Sequence, residues 1–460
     1  MICLEGKMPK YFGTDGIRSV WGKFPLTEDF VTKLGYCALK ELSKQEPNNT
    51  NKNIFIAQDS RASGKAILDC LTKGIRAAGY NVLSLGISTT PSVSILTQKY
   101  KNICGIVISA SHNPAEFNGI KFFSAQGTKL SENIEDNIER EIENLQTVPA
   151  PQNNTKFCEV PEKVDEYITF LKSTLTEVAD LKDLHIVLDC ANGASSKIAP
   201  KVFEELGAKV TVINNNPDGF NINKNAGALH TESLQEEVKK CKADIGLSFD
   251  GDADRLIAVT EEGTVFDGDN VISTVALYLK NKNKLKGNKA VLTIMANLGL
   301  INYLKANGIE PVLTKVGDKY VFEELTKNNL SVGGETSGHI IFRDIAPAGD
   351  GILTALQLLG ILKSSGKKLS YFKNLWQKYP LKLVPVKVEK KIPLDEIEGF
   401  CPYLKELENS MGEKGRIVVR YSGTEPLLRV LVEDENKDNV EDICQKVVTF
   451  YKSKVKTCQR

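Results

Sequence analysis

Residues 185–213 read HIVLDCANGASSKIAPKVFEELGAKVTVI. An apolar run of strand length (185–188) passes into a loop of small and polar residues (189–196). A helix-like stretch then ends at Leu206-Gly207, and a second apolar run (210–213) follows. Glycine just past the last helical residue is the usual C-terminal cap. A strand–loop–helix–strand segment of this size is a βαβ unit, with parallel strands covered by the helix.

The same order occurs twice more. Residues 54–57 lead through the polar loop 58–64 to a helix ending at Ala78-Gly79 and a strand at 82–85. Residues 290–294 lead through 296–299 to a helix ending at Asn307-Gly308 and a strand at 311–313. Each unit then reaches a third apolar run that ends in a polar cluster. Run 105–109 precedes Ser111, 245–249 precedes Asp250, and 330–332 precedes Glu335. Ligands of open α/β sheets bind beyond the carboxyl ends of strands. Three equivalent ends bearing three different clusters therefore predict one cleft shared by three related domains; the competing account is the self-similarity common to all α/β chains. A polar break at 149–155 follows the first unit, and the pattern stops after about residue 367. The remainder holds alternating runs (383–389, 417–421, 429–433) and a charged helix (440–452), an α+β arrangement. The expected fold class is α/β: three similar, βαβ-rich mixed domains and a C-terminal α+β domain around a central cleft. The expected boundaries are 1–154, 155–256, 257–367 and 368–460.

At 460 residues the chain exceeds one compact core, and about three or four domains is the prior. A formal net charge of +1 argues against a polyanion-binding surface spread over the protein, so no nucleic-acid partner is expected. No apolar run approaches the ~20 residues of a membrane helix. Residues 1–10 contain Glu5 and no apolar core segment, unlike a secretory signal, and 1–7 read either as an extension before Met8 or as a product of start-site choice. The ten cysteines are scattered without a C-x-x-C pair, as core thiols of a reducing compartment are, so a cytoplasmic location is expected.

The first cluster is Ser109-Ala110-Ser111-His112-Asn113-Pro114, with Lys121 beyond. A serine on such a loop at a strand end presents its Oγ to a cleft. The absence of a G-x-S-x-G elbow disfavours acyl transfer, and an ordinary Ser/Asn turn accounts for the residues equally well. The second is Asp250-Gly251-Asp252-Ala253-Asp254-Arg255. Carboxylates at alternate positions point the same way and repel unless a cation neutralises them, and hard oxygen ligands select Mg²⁺ or Ca²⁺. An EF-hand is excluded because Arg255 stands where that loop needs glycine and the flanks look like strands. The third is Gly333-Gly334-Glu335-Thr336-Ser337-Gly338-His339, a loop suited to close reading of hydroxyls. The fourth is Arg420-Tyr421-Ser422-Gly423-Thr424-Glu425-Pro426, with Arg429 beyond. An arginine fork with hydroxyls and turn N–H groups makes a phosphate cradle; a surface hairpin with a salt bridge is the equal alternative.

Taken in this order, these clusters resemble the α-D-phosphohexomutase superfamily over essentially the whole chain, and within it the bacterial phosphoglucosamine mutases. Tyr11-Phe12-Gly13-Thr14-Asp15-Gly16-Ile17-Arg18, Gly119-Ile120-Lys121-Phe122-Phe123 and Lys315-Val316-Gly317-Asp318 carry the resemblance further. It implies a mutase that interconverts glucosamine 6-phosphate and glucosamine 1-phosphate through phosphorylated Ser111 and a glucosamine 1,6-bisphosphate intermediate, serving amino-sugar nucleotide and cell-wall precursor synthesis. Asp250, Asp252 and Asp254 would hold one Mg²⁺ together with the Ser111 phosphoryl group. Glu335, Ser337 and Lys315 would bind the sugar substrate; Arg420, Ser422, Gly423, Thr424 and Arg429 would bind its stationary phosphate. Arg18, Lys121, Arg255 and His339 would line the reacting centre, with Lys121 as general acid/base and His112 supporting the serine loop. The only partner implied is a small phosphosugar, with the chain a monomer or homodimer. A phosphomannomutase or phosphoglucomutase is the runner-up, and an inactive phosphosugar-binding relative the reading from another class. Thr336 departs from the pattern, which has glutamine in phosphoglucosamine mutases and methionine in the mannose- and glucose-type relatives.

Overall fold

The computed structural model describes residues 10–13, 15–422 and 426–457. Its first sheet comprises β1 (Ile17–Val20), β2 (Asn53–Gln58), β3 (Asn81–Ile87), β4 (Cys104–Ile108), β5 (Phe117–Ser124) and β6 (Phe157–Glu159), ordered β1-β5-β4-β2-β3-β6. The second comprises β7 (His185–Asp189), β8 (Lys209–Ile213), β9 (Ile245–Phe249), β10 (Leu256–Thr260) and β11 (Val265–Phe266), ordered β11-β10-β9-β7-β8. The third comprises β12 (Lys289–Thr293), β13 (Glu310–Thr314), β14 (Val332–Gly334) and β15 (Ile340–Phe342), ordered β13-β12-β14-β15. The last sheet, β16 (Leu381–Lys387), β17 (Gly415–Tyr421) and β18 (Leu427–Asp434), is antiparallel in the order β16-β18-β17.

The threefold repeat is present as one kernel of strand pairings. In each of the first three sheets, one strand is parallel to both neighbours, and the second of those neighbours pairs with an antiparallel return strand. The kernels are β3-β2-β4-β5, β8-β7-β9-β10 and β13-β12-β14-β15. Every candidate cluster of these units falls in the turn before the return strand: Ser111 between β4 and β5, Asp250 to Arg255 between β9 and β10, and Glu335 to His339 between β14 and β15. The helix-ending glycines Gly79, Gly207 and Gly308 all have left-handed φ (+92°, +89° and +64°), the conformation that closes a helix at little cost only for glycine.

All residues of β4 and β9 are buried, as expected of strands covered on both faces. The first sheet is covered by helices such as Glu28–Gln45, which buries Phe30, Val31, Leu34, Ala38 and Leu42 at helical spacing. The second and third sheets share a single apolar cluster, because the nearly all-buried helix Gly351–Ser365 packs between them: Leu188, Phe249, Leu292, Phe342 and Leu356 belong to one core. The C-terminal sheet has its own core, in which Val430, Val432, Phe400 and Tyr451 meet.

The strand pairings shift the unit boundaries. A division at 154 separates β6 from β3, with which it pairs, and a division at 256 falls within the β9–β10 hairpin. Beyond 367, Lys373 and Trp376 still bond to Asn270 and Ser273 of the third unit. We therefore propose boundaries after Glu159, Phe266 and Tyr379. At 256 the antiparallel return β10 is the cause: it is as apolar as a new unit's first strand.

Candidate active site

Ser111 is fully buried and has φ +52°, a left-handed conformation uncommon for a residue other than glycine. Surrounding bonds hold it there. Its N–H donates to Ser109 Oγ at 2.9 Å. Its carbonyl accepts from Arg61 Nη2 at 3.0 Å and from Asn223 Nδ2, in the second unit, at 2.9 Å. Arg61 is itself buried, pairs with Asp59 at 2.9 Å, and also donates to the carbonyls of Asn113, Pro114 and Phe117. One guanidinium thus bonds three carbonyls of the serine loop and that of Phe117 at the start of β5, anchoring the backbone that carries the hydroxyl. Ser111 Oγ donates to Asp250 Oδ2 at 2.6 Å and lies 3.4 Å from His112 Nδ1. Burial, then the charges of Arg255 and Arg18, lowers His112 to about 3, so its ring is neutral beside the hydroxyl.

Asp250, Asp252 and Asp254 are buried, with one carboxylate oxygen from each within 4.8 Å of the others. Burial first, then Asp254 and Asp252, pushes the Asp250 carboxyl well above the usual carboxylate range. Burial also opposes charge on Asp254, but Lys121 and His339 outweigh it and hold that carboxyl well below the range. Asp252 Oδ1 and Asp254 Oδ1 are buried without a hydrogen-bond partner among the described residues. Hard oxygen donors, two of them unsatisfied, beside a carboxyl that like charges drive toward protonation form a set that a divalent cation would relieve.

Lys121, on β5, is surrounded by carboxylates: Asp15 at 2.9 Å, Asp252 at 2.8 Å and Asp254 at 3.3 Å. Burial lowers its basicity, but Asp15, Asp252 and Asp254 together raise it well above the ordinary lysine value. It therefore stands as an ammonium. Arg18 bonds to Asp15 and, at 3.0 Å, to Asn113 Oδ1 on the serine loop. Arg255 Nε lies 3.9 Å from Asp250 and 3.8 Å from Asp254. His339 Nδ1 lies 3.6 Å from Asp254 and Nε2 3.3 Å from Asp318. Burial opposes the imidazolium, but Asp318 and Asp254 raise His339 to about 9. The fold thus brings Arg18, Lys121, His112, Arg255 and His339 from three units to one centre.

On the third loop, Glu335 Oε1 accepts from Gly317 N–H at 3.0 Å, which ties it to the Lys315-Val316-Gly317-Asp318 turn. Ser337 Oγ is buried with no partner among the described residues. Lys315 lies over the Tyr320 ring, 5.7 Å from its centroid. Thr336 Oγ1 donates to Asp269 Oδ1 at 2.8 Å, while the Thr336 carbonyl accepts from Gly268 at 3.1 Å. A Cβ on Gly268 would meet the Glu335 carbonyl at 2.0 Å, so the helix Gly268–Asn281 seats directly against this loop. Thr336 fastens the loop from behind.

In the C-terminal unit, Arg420 on β17 stands opposite Arg429 on β18. Directly opposed side chains share one face of the sheet, and like charges there repel. Burial, then Arg429, lowers the Arg420 guanidinium, with Glu335 opposing, and its Nε is buried without a partner among the described residues. An anion would relieve both features. Ser422 N–H donates to Leu427 at 2.8 Å, and its carbonyl accepts from Lys391 at 2.6 Å. Gly423 and Thr424 lie outside the described residues.

Arg61, Asp15, Lys129, Asp318 and Asn223 belong to the site but were not singled out by the sequence reading. Two signals were available for some of them: Arg61 lies in the first unit's strand-end loop, and Asp15 and Asp318 lie inside motifs already quoted.

Comparison with known proteins agrees with this arrangement. Residues 9–148, 165–263, 267–379 and 383–450 match phosphoglucomutase/phosphomannomutase alpha/beta/alpha domains I, II and III and the C-terminal domain, in that order. A phosphoglucosamine mutase of Acetivibrio thermocellus is 46% identical over 439 residues, covering 94% of this chain and 97% of its own. One from Aliarcobacter butzleri is 44% identical over 448 residues, covering 96% and 99%. Among solved structures, a phosphoglucomutase/phosphomannomutase family protein from Burkholderia thailandensis has a TM-score of 0.77 at 22% identity, over 97% of both chains. A putative phosphomannomutase from Thermus thermophilus has a TM-score of 0.76 at 22% identity, over 96% of this chain and 99% of its own.

Proposed function

Because this chain belongs to the phosphoglucosamine mutases of the α-D-phosphohexomutase superfamily, we propose that Ser111 carries the phosphoryl group in transit between the two ends of the sugar. The enzyme is an isomerase, an intramolecular phosphotransferase that interconverts glucosamine 6-phosphate and glucosamine 1-phosphate. The observation that carries the assignment of Ser111 is its 2.6 Å hydrogen bond to Asp250, which puts the hydroxyl at the edge of the acidic triad.

Asp250, Asp252 and Asp254 would hold one Mg²⁺. When bound, it supplies positive charge against the phosphoryl oxygens, the main requirement of phosphoryl transfer besides positioning. Arg18, Arg255 and His339 add positive charge from the protein. In the first half-reaction the bond from phosphorus to Ser111 Oγ breaks as a bond to the free sugar hydroxyl forms, giving glucosamine 1,6-bisphosphate. The proton lost by that hydroxyl balances the one gained by Ser111 Oγ. We assign this exchange to Lys121, with His112 beside Oγ. The bisphosphate then presents its other phosphate to Ser111, which takes it back and frees the isomeric monophosphate. Glu335 and Ser337 would grip the sugar, while Arg420, Ser422, Gly423, Thr424 and Arg429 hold the phosphate that is not moving.

The test is a substrate panel run in the presence of Mg²⁺ and a bisphosphate primer. The account expects glucosamine phosphate to have the highest kcat/KM. A preference above about tenfold for glucose or mannose phosphate, worth ~1.4 kcal/mol of transition-state binding, would assign the enzyme to another sugar.

A further inference from the structure

Six charged side chains close a ring of alternating sign at the meeting point of three units. Lys121 pairs with Asp15 at 2.9 Å, and Asp15 pairs through its other oxygen with Lys129. Lys129 pairs with Asp318 at 2.7 Å, and Asp318 with His339 at 3.3 Å. His339 faces Asp254 at 3.6 Å, and Asp254 returns to Lys121 at 3.3 Å. Asp15, Lys121 and Lys129 come from the first unit, Asp254 from the second, and Asp318 and His339 from the third.

The backbone explains how Lys129 reaches this ring. A turn whose Ser124 and Thr128 are bonded at 2.7 Å returns the chain, so that Lys129 bridges antiparallel to Phe123. Opposed residues of such a bridge share a face, and Phe123 shares its face with Lys121 two positions earlier on β5. The two lysines, one on β5 and one on the segment bridged to it, therefore project from the same face. Lys121 enters the triad, whereas Lys129 bonds, among the described residues, to the outer carboxylates Asp15 and Asp318. Its side chain is 17% exposed, so the charge is largely withdrawn from water and little screened.

We propose that Lys129 is a positioning residue for phosphoryl transfer, the bridge that holds Asp15 to Asp318 and thereby sets Lys121 and His339 on either side of Asp254. This rests on the mutase reading above. Removing the bridge leaves two carboxylates facing each other across the gap. They move apart, taking the catalytic lysine and histidine with them. Displacements of about 1 Å in supporting residues cost up to about a hundredfold in rate.

The experiment compares kcat and KM for glucosamine phosphate in wild type, Lys129→Met, Lys129→Arg, Asp318→Asn and the Lys129→Met/Asp318→Asn pair, with melting temperatures alongside. The expected result is a fall in kcat of about ten- to a hundredfold for Lys129→Met, with KM changed far less. Lys129→Arg should recover part of the loss, since a guanidinium also spans two carboxylates, and the double variant should be little worse than the poorer single one. Wild-type kcat and KM in folded Lys129→Met, whatever its melting temperature, would overturn the proposal. So would losses that simply multiply in the double variant. If Lys129→Met does not fold, Lys129→Arg and Asp318→Asn decide: kcat at the wild-type value in both overturns the proposal, and a kcat-selective loss in Asp318→Asn supports it. Turnover by the wild type in the same assay separates failure of this inference from failure of the mutase reading.

Discussion

Ser111 Oγ and Asp250 Oδ2 are joined by a 2.6 Å hydrogen bond across the boundary between the first and second units, 139 residues apart in sequence. The contact is held from both sides. Arg61 and Asn223 fix the Ser111 carbonyl, and the Asp252 carbonyl accepts from Thr90 N–H at 3.0 Å. Ser111 and the acidic triad are therefore joined by bonds that run in both directions between the two units.

The triad should be essential to turnover and dispensable for the fold. Asp252→Asn keeps the shape and the Thr90 contact but removes one charge. The expected loss in kcat is about a hundredfold or more, as for removal of several kcal/mol of transition-state charge stabilisation, with little change in melting temperature. Chelator should abolish activity and added Mg²⁺ restore it. Full activity in excess chelator would contradict the metal assignment.

Arg420 should serve both directions of the reaction equally, because a guanidinium fork reads phosphate oxygens and no feature of the sugar. Arg420→Ala is expected to lower kcat/KM for glucosamine 6-phosphate and glucosamine 1-phosphate by similar factors, mostly through KM. Arg420→Lys should recover only part, lacking the fork. Steady-state kinetics in both directions check this; unchanged values would leave the cradle without support.

Thr336 should hold its loop without choosing the sugar, since its hydroxyl is committed to Asp269. Burial first, then Asp267, pushes the Asp269 carboxyl up to about 7. Thr336→Val strips one bond from this buried group and should cost about 1–3 kcal/mol in stability. KM should rise for glucosamine and glucose phosphates alike. A tenfold or greater shift in preference between them would show that Thr336 reads the substrate.

Glu135 should make stability depend on pH in the direction opposite to most carboxylates. Burial pushes it up to about 7, against the opposing charge of Lys319, with which it pairs at 3.0 Å across the first and third units. Its folded value lies above the ordinary value of about 4.3. Its contribution to stability is therefore complete below about 4.3 and is lost as pH rises through about 7. Denaturation curves of wild type and Glu135→Gln between pH 5 and about 8 check it: the wild type should lose stability relative to the variant as pH rises across this range. A difference that does not vary with pH would contradict the assignment.

The parts legible in the sequence are those encoded over short spans. An apolar run, a glycine that must adopt positive φ and a second apolar run mark each unit, and the Asp250 to Arg255 cluster declares its chemistry within six residues. Arg61 was not legible, because its role depends on carbonyls about fifty residues away that are brought to it only by the β2–β4 pairing. Lys129 and Asp318, 189 residues apart, meet only when the first and third units pack. The proposed boundary lies beyond 256 for a related reason: β10 has the apolar pattern of a new unit, and only its pairing with β9 assigns it to the old one.

The central claim is that Ser111 carries the phosphoryl group. Intact mass and peptide mapping after incubation with glucosamine 1,6-bisphosphate, followed by a chase with glucosamine 1-phosphate, test it most directly. The account predicts one phosphate on Ser111, its loss in the chase, and neither labelling nor turnover in Ser111→Ala. Phosphate mapping to another residue, or wild-type turnover by Ser111→Ala, would contradict it.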